Sequence, residues 1–218
     1  MSAAKLSVLD AERLQECVSG GGVAVLPTDT VYGICCDPDD EIAARRLYEL
    51  KGYPPARSPA RPAAVMFFAL EFALAALGEQ LDGVERAALE TLLPGPVTLL
   101  LPNRAARFVV ACGPDPTTIG LRVPRLPDAL ATLRTVRLPV MQSSANLYGQ
   151  ADARTLSAVP SEMLAGADLA LDGGELPGVP STVIDLRGYA SSGEWRVLRE
   201  GSLPALTVES LLTEGRIA

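Results

Sequence analysis

The chain contains no histidine among its 218 residues. That absence removes Ser-His-Asp triads, Cys-His dyads and the zinc sites that rely on imidazole. Four cysteines occur, Cys17, Cys35, Cys36 and Cys112, and none belongs to a C-x-x-C pair. Cys35 and Cys36 are neighbours and awkward disulfide partners, so the four read as free, buried thiols rather than metal ligands. No apolar run approaches the length that spans a bilayer, and residues 1–5 lack the basic-then-apolar pattern of a secretory leader, so the expectation is a cytoplasmic protein with no membrane partner. Basic residues are outnumbered 26 to 19, a net charge of −7, which disfavours a wide nucleic-acid-gripping surface. Aromatics are only 5%, and no basic run is interleaved with them, which weighs against a single-strand binder. Neither G-x-x-x-x-G-K-[ST] nor G-x-G-x-x-G occurs, so any phosphate would be held in another way.

What is present is a globular composition, 48% apolar, on a length that suits one domain with a sizeable core. Helical periodicity marks residues 10–19, with Asp10 as the expected N-cap, and Gly20-Gly21-Gly22 stops it. A buried strand follows at 23–26. Asp37 to Asp40 cap a helix that ends at Lys51-Gly52, where cationic residues suit the helix dipole. Residues 53–62 hold four prolines and read as a stiff loop carrying Arg57 and Arg61. Further strands are expected at 63–68, 97–101, 117–124, 138–141, 168–171, 181–185 and 195–199. Further helices are expected at 71–77, 83–93, 127–133, 155–164 and 205–213. Strands alternating with helices indicate an α/β fold.

The stretch Leu26-Pro27-Thr28-Asp29-Thr30-Val31-Tyr32-Gly33 is the centre of this pattern. A strand edge ending in hydroxyls and a carboxylate is a common ligand position in α/β proteins; an Asx- or ST-type turn without a ligand explains the same residues. Two other strand ends offer hydroxyls, Ser143/Ser144 and Ser181/Thr182. Cations come from Lys51, Arg57, Arg61, Arg122 and Arg199. Arg122, amid apolar neighbours in a short strand, needs a partner, either an internal carboxylate or the carboxylate of a ligand. No side chain reads as an activated nucleophile. The chemistry then rests on positioning and charge neutralisation, as in phosphoryl or nucleotidyl transfer.

Six segments occur in order: Pro27–Gly33, Pro94-Gly95-Pro96-Val97-Thr98, Leu121-Arg122-Val123-Pro124, Ser144-Ala145-Asn146, Pro180–Asp185 and Arg199-Glu200-Gly201. Together they resemble the YrdC-like threonylcarbamoyl-AMP synthase family over about residues 8–203. The resemblance implies one domain across 1–218, of the short type without the extra C-terminal domain of longer members. Its fold would be a twisted mixed β-sheet with flanking helices and a large concave cleft. It implies condensation of L-threonine, bicarbonate and ATP into threonylcarbamoyl-AMP and pyrophosphate, with Mg2+ accompanying ATP. The product would pass transiently to a tRNA threonylcarbamoyl transferase, with tRNA contact weak or indirect.

By position, the resemblance assigns Thr30, Arg122, Ser144 and Ser181 to threonine. It assigns Lys51, Arg57, Arg61, Thr118, Asn146, Thr155 and Arg199 to ATP. Lys51 and Arg57 would be the catalytic cations, stabilising charge rather than moving protons, and no metal-ligating residues are implied. The chain departs from the family's Lys-Gly-Arg-Pro signature by reading Lys51-Gly52-Tyr53-Pro54. Either Tyr53 replaces the arginine, or residues 53–56 are an insertion that restores both Arg57 and Arg61. Met66 stands where some members carry a histidine, and Arg154-Thr155 where others carry Pro-Thr or Thr-Thr. An ATP-deficient paralogue, an RNA-binding module and a carbamoyl-phosphate-using relative are the competing readings.

Overall fold

A computed structural model describes residues 5–53 and 61–214. The chain runs through α1 (Val8–Ser19), β1 (Ala24–Leu26), β2 (Gly33–Cys36), α2 (Glu41–Leu50), β3 (Ala64–Met66), α3 (Leu70–Leu77), α4 (Gly83–Leu92) and β4 (Val97–Pro102). It continues through α5 (Val109–Cys112), β5 (Thr118–Arg122), β6 (Val140–Ser144), α6 (Ser161–Gly166), β7 (Leu169–Ala170), β8 (Thr182–Asp185), α7 (Tyr189–Ser192), β9 (Arg196–Arg199) and α8 (Ala205–Glu214). Among the described residues, nine strands form one sheet in the order β7-β1-β2-β6-β3-β5-β4-β8-β9. The sheet is mixed: β3/β5, β4/β8 and β1/β7 are parallel, and the other neighbours are antiparallel. This is the α/β sheet with flanking helices expected from the sequence. Among the described residues no helix is long and apolar enough to cross a membrane.

The core follows from strand periodicity. In β4, Val97, Leu99 and Leu101 are buried while Thr98 and Leu100 are half-buried on the other face. Each fully buried leucine of this kind contributes roughly 1.5–3 kcal/mol of transfer free energy. β1 is buried along its whole length, Ala24, Val25 and Leu26 alike, as suits a strand covered on both faces.

Several elements differ from expectation for local reasons. Helix α1 starts two residues early because Ser7, not Asp10, is its N-cap. The Ser7 hydroxyl accepts from the Asp10 N–H at 3.3 Å, and the Asp10 carboxylate accepts from the Ser7 N–H at 2.8 Å, a capping box. Residues Asp128–Thr135 form a 3-10 helix rather than an α-helix. The segment expected as one helix at 155–164 is divided into a 3-10 turn, Leu156–Ala158, and α6, with Pro160 between them. Strand β2 was not expected: its Gly-Ile-Cys-Cys sequence lacks strand alternation because both its faces are buried. All four cysteines are free; three are buried and Cys17 is only half-buried. Burial pushes the Cys36 thiol up to about 12 and Cys35 well above its ordinary value, so neither supplies a thiolate near neutral pH.

Candidate active site

One face of the sheet is hollowed into a cleft of about 450 Å³, a volume suited to a small-molecule site. Its floor is a register row across four strands, Leu100, Gly120, Ala64 and Gln142. Small residues at two of these four positions open the hollow. Residues two further along the strands extend the same face, Thr118 and Arg122 on β5 and Ser144 on β6. Gly33 pairs in register with Ser144, and a Cβ there would stand 2.6 Å from Gln142 Nε2, so a side chain at this position would push the Gln142 amide aside.

Arg122 ends β5 with its side chain 4% exposed. Its Nη2 donates to Asp29 Oδ1 at 2.7 Å and to Thr30 Oγ1 at 2.6 Å, with Thr28 Oγ1 at 3.2 Å. Nη1 donates to Gln142 Oε1 at 3.2 Å. The internal-carboxylate alternative is therefore realised, and Asp29 is the partner. Among the described residues the Arg122 Nε is the one buried side-chain polar atom without a hydrogen-bond partner. The Pro27–Gly33 segment serves as both turn and site. Thr28 makes the turn, accepting from the Thr30 N–H at 3.2 Å and donating to Val31 O at 2.7 Å. Asp29 and Thr30 hold the arginine. Asp29 is itself fixed from the far side by the Arg125 N–H, 2.9 Å from Oδ2.

Lys51 caps the C-terminus of α2, and Gly52, at φ 69°, turns the chain away in the left-handed conformation. The Lys51 ammonium does not serve the α2 carbonyls. It is buried and donates to Ser144 O, to Asn146 O at 3.1 Å and to Asn146 Oδ1 at 3.3 Å. Burial lowers its pKa to about 8, with the Asp152 charge pulling the other way. Asn146 Oδ1 also accepts from Ser144 Oγ at 2.5 Å, so Lys51, Ser144 and Asn146 form one network behind the cleft wall.

Tyr53 lies away from the cleft lining, its ring 5.6 Å from that of Tyr48 and 5.1 Å from that of Tyr148. The Arg61 guanidinium sits 5.5 Å from the Tyr53 ring centre and 4.8 Å from that of Tyr148. It donates to the Tyr148 hydroxyl at 3.2 Å. Arg57 lies outside the described residues.

At the same end of the strands as Arg122, across β4, Ser181 Oγ stands 2.9 Å from Thr98 Oγ1, and Arg199 donates to Ser181 O at 2.8 Å. Thr182 holds the turn that aims β9: its hydroxyl donates to Leu203 O at 2.6 Å and accepts from the N–H groups of Gly201 and Leu203, both at 3.0 Å.

The fold thus brings Thr118, Arg122, Ser144, Ser181 and Arg199 onto one cleft wall. Thr30 lies a layer behind Arg122, and Asn146 and Lys51 lie behind Ser144. Arg61 and Thr155 are not part of the lining, and the Thr155 hydroxyl pairs with that of Ser157 at 3.1 Å. Met66 is fully buried and pairs in register with Arg122. The sequence reading missed Asp115, Gln142, Asp152 and Arg187, all in the lining. Gln142 and Arg187 carried a usable signal, each standing two residues from a residue already in view, Ser144 and Asp185 respectively.

The family model Sua5/YciO/YrdC, described as telomere recombination, matches residues 16–201. The threonylcarbamoyl-AMP synthase of Pyrococcus abyssi is 32% identical over 201 residues, which is 90% of this chain and 55% of that protein. The crystal structure of P. abyssi Sua5 complexed with L-threonine superposes with a TM-score of 0.77 at 26% identity, covering 95% of this chain and 58% of that one. Escherichia coli YciO superposes with a TM-score of 0.75 at 25% identity, covering 94% of this chain and 96% of that one. The chain therefore spans little more than half the length of the P. abyssi relative and nearly all of YciO. With the match running through most of its length and through every cleft strand, this chain belongs to the Sua5/YciO/YrdC family.

Proposed function

We propose that the chain is an L-threonylcarbamoyladenylate synthase, a nucleotidyltransferase that condenses L-threonine, bicarbonate and ATP with release of pyrophosphate. The observation that carries the reading is Arg122, a buried arginine on the cleft wall whose Nε has no acceptor. A carboxylate entering the cleft supplies one. The Ser144 and Ser181 hydroxyls line the same cleft and offer hydrogen-bond partners to a hydroxy amino acid. Threonine binding in the P. abyssi Sua5 structure supports the assignment.

In the reaction, the neutral amine of threonine condenses with bicarbonate to a carbamate, and one water leaves. A carbamate oxygen then attacks the α-phosphorus, and the bond to pyrophosphate breaks. The chain's contribution is geometry and charge. Arg122 orients the amino acid, Thr118 and Arg199 face the nucleotide, and the Lys51 network braces the Ser144–Asn146 segment. Among the described residues no group of three or more acidic, cysteine or histidine side chains forms a metal site. The cleft does carry two carboxylates, Asp115 and Asp152. That donor set fits Mg2+ brought in on the triphosphate, with at most one or two protein ligands. The product would serve a tRNA-modifying transferase in the cytoplasm.

Pyrophosphate release from ATP, bicarbonate and Mg2+, followed with and without L-threonine, tests the reading. Threonine-dependent release is the expected result. Threonine binding without any release would instead assign the chain as an ATP-deficient relative.

A further inference from the structure

Three arginines line the cleft, Arg122, Arg187 and Arg199, and Arg187 stands apart from the other two in how it is held. Arg187 follows the end of β8, two residues after Asp185. The Asp185 carboxylate, 6% exposed, grips it in the bidentate manner, Nε to Oδ1 at 2.9 Å and Nη2 to Oδ2 at 2.8 Å. The Arg187 backbone N–H adds a third bond to Oδ1 at 3.1 Å. With two sides of the planar guanidinium fixed, Nη1 is directed at Thr118 Oγ1, 3.3 Å away. Thr118 in turn gives its proton to Asp115 Oδ2 at 2.7 Å.

Two features separate this arginine from a purely structural one. Asp185 already has a second cationic partner, since Arg196 Nη2 donates to Oδ2 at 3.0 Å. One carboxylate shared by two guanidiniums leaves an excess positive charge in the trio. Arg196 does not line the cleft, whereas Arg187 does and is 41% exposed on its side chain. Asp115 is the acid facing it, and that carboxylate also accepts from the Thr117 N–H and hydroxyl. A pre-oriented guanidinium with an N–H toward the cleft, next to the Thr118 hydroxyl, matches an oxyanion with several oxygens.

We infer that Arg187 is a phosphate-binding residue of the nucleotide end of the cleft, contacting the polyphosphate of ATP beside Thr118. This rests on the ATP-dependent reading proposed above. It also gives that reading a cation that the Lys51-Gly52-Tyr53 departure does not touch.

The test is calorimetric titration of the full chain with ATP, inorganic pyrophosphate and L-threonine, together with thermal melts. Arg187→Ala is expected to weaken ATP and pyrophosphate binding about tenfold or more, the worth of one charge-assisted hydrogen bond. Threonine affinity stays within about twofold, because the threonine groups lie along the strand from Arg187. Arg196→Ala, which perturbs the same carboxylate outside the cleft, leaves both affinities unchanged. Should the alanine variant fold poorly, Arg187→Gln keeps a hydrogen bond to Asp185 without the charge, and the same ATP loss is expected. The inference is overturned if the folded variants bind ATP as the wild type does, or if ATP and threonine affinities fall together with the melting temperature. Wild-type protein that binds no ATP overturns the synthase reading and this inference with it; wild-type binding with unaltered variants overturns the inference alone.

Discussion

The two ends of the cleft are built on opposite plans. At the Arg122 end, the cation is buried, 4% exposed, and locked by Asp29, Thr28, Thr30 and Gln142 before any ligand arrives. At the Arg187 end, the cation is exposed and leans on the Thr118 hydroxyl and the shared Asp185. The difference suits their proposed ligands. A small amino acid of fixed shape is recognised by a pre-formed, dehydrated pocket, where a misplaced group costs most. A flexible, strongly hydrated polyphosphate is held by exposed arginines that give up less hydration. Lys51 stands between the plans: it is buried like Arg122, yet its direct partners are carbonyl and amide oxygens rather than a carboxylate.

The largest effect that can break this comparison is at the buried end. Arg122→Ala leaves Asp29 buried without its guanidinium and is expected to cost about 3–5 kcal/mol of stability. Threonine-dependent turnover is expected to fall below detection. Adding Asp29→Asn removes the stranded charge, so the melting temperature recovers while turnover does not. Recovery of both would mean that Arg122 serves the fold alone.

Lys51 gives the next largest effect and carries a sign. Lys51→Met strips the donor from Ser144 O and Asn146 and is expected to cost about 1–3 kcal/mol of stability. Turnover is expected to fall about a hundredfold, because the Ser144–Asn146 segment that Lys51 braces loses its position. In the wild type the Lys51 pKa is lowered from 10.5 to about 8 by burial. The unfolded chain therefore binds the extra proton between those values, and the Lys51 contribution to stability rises with pH across that window. Below about 8 the lysine is charged in both states and adds no slope. If the ammonium stabilises charge, activity declines as pH rises through about 8. An activity that climbs through the same pH would make Lys51 a proton acceptor instead.

The smallest effect concerns the aromatic group around Arg61. Tyr148→Ala removes a ring 4.8 Å from the guanidinium and a 3.2 Å hydrogen bond. A loss of about 0.5–1 kcal/mol in stability is expected. ATP affinity should change less than about threefold if Arg61 stays with the tyrosines. A tenfold loss would move Arg61 into the nucleotide end.

The contrast between the two ends also governed what could be read from the sequence. Arg122 was legible because a charged residue between Leu121 and Val123 is costly to bury, and such a cost demands a partner. Which partner was not legible: Asp29 lies 93 residues away in the chain, and only the pairing of β5, β3, β6 and β2 brings it alongside. Most strands announced themselves by apolar runs. β2 did not, because a strand covered on both faces shows no alternation and two cysteines read first as thiols. Arg187 was passed over because an arginine outside an apolar strand looks like any solvated surface residue. Its grip by Asp185 depends on a local bend after β8. Tyr53 was legible as a departure, but its edge-on contact with Tyr48 and tilted contact with Tyr148 needed the α2 terminus and the 145–150 segment to meet, which the Tyr148 N–H to Lys51 O bond of 3.0 Å accomplishes.

Arg122, with its buried Nε unpaired, is set to receive a carboxylate. Calorimetry of the wild-type chain with L-threonine and with L-threoninol, which lacks the carboxylate and keeps the amine and hydroxyl, isolates that group. The account predicts measurable L-threonine binding and no detectable binding of threoninol at the same concentrations. Equal affinity for both would contradict it and leave Arg122 as a residue of the fold, paired with Asp29 and nothing else.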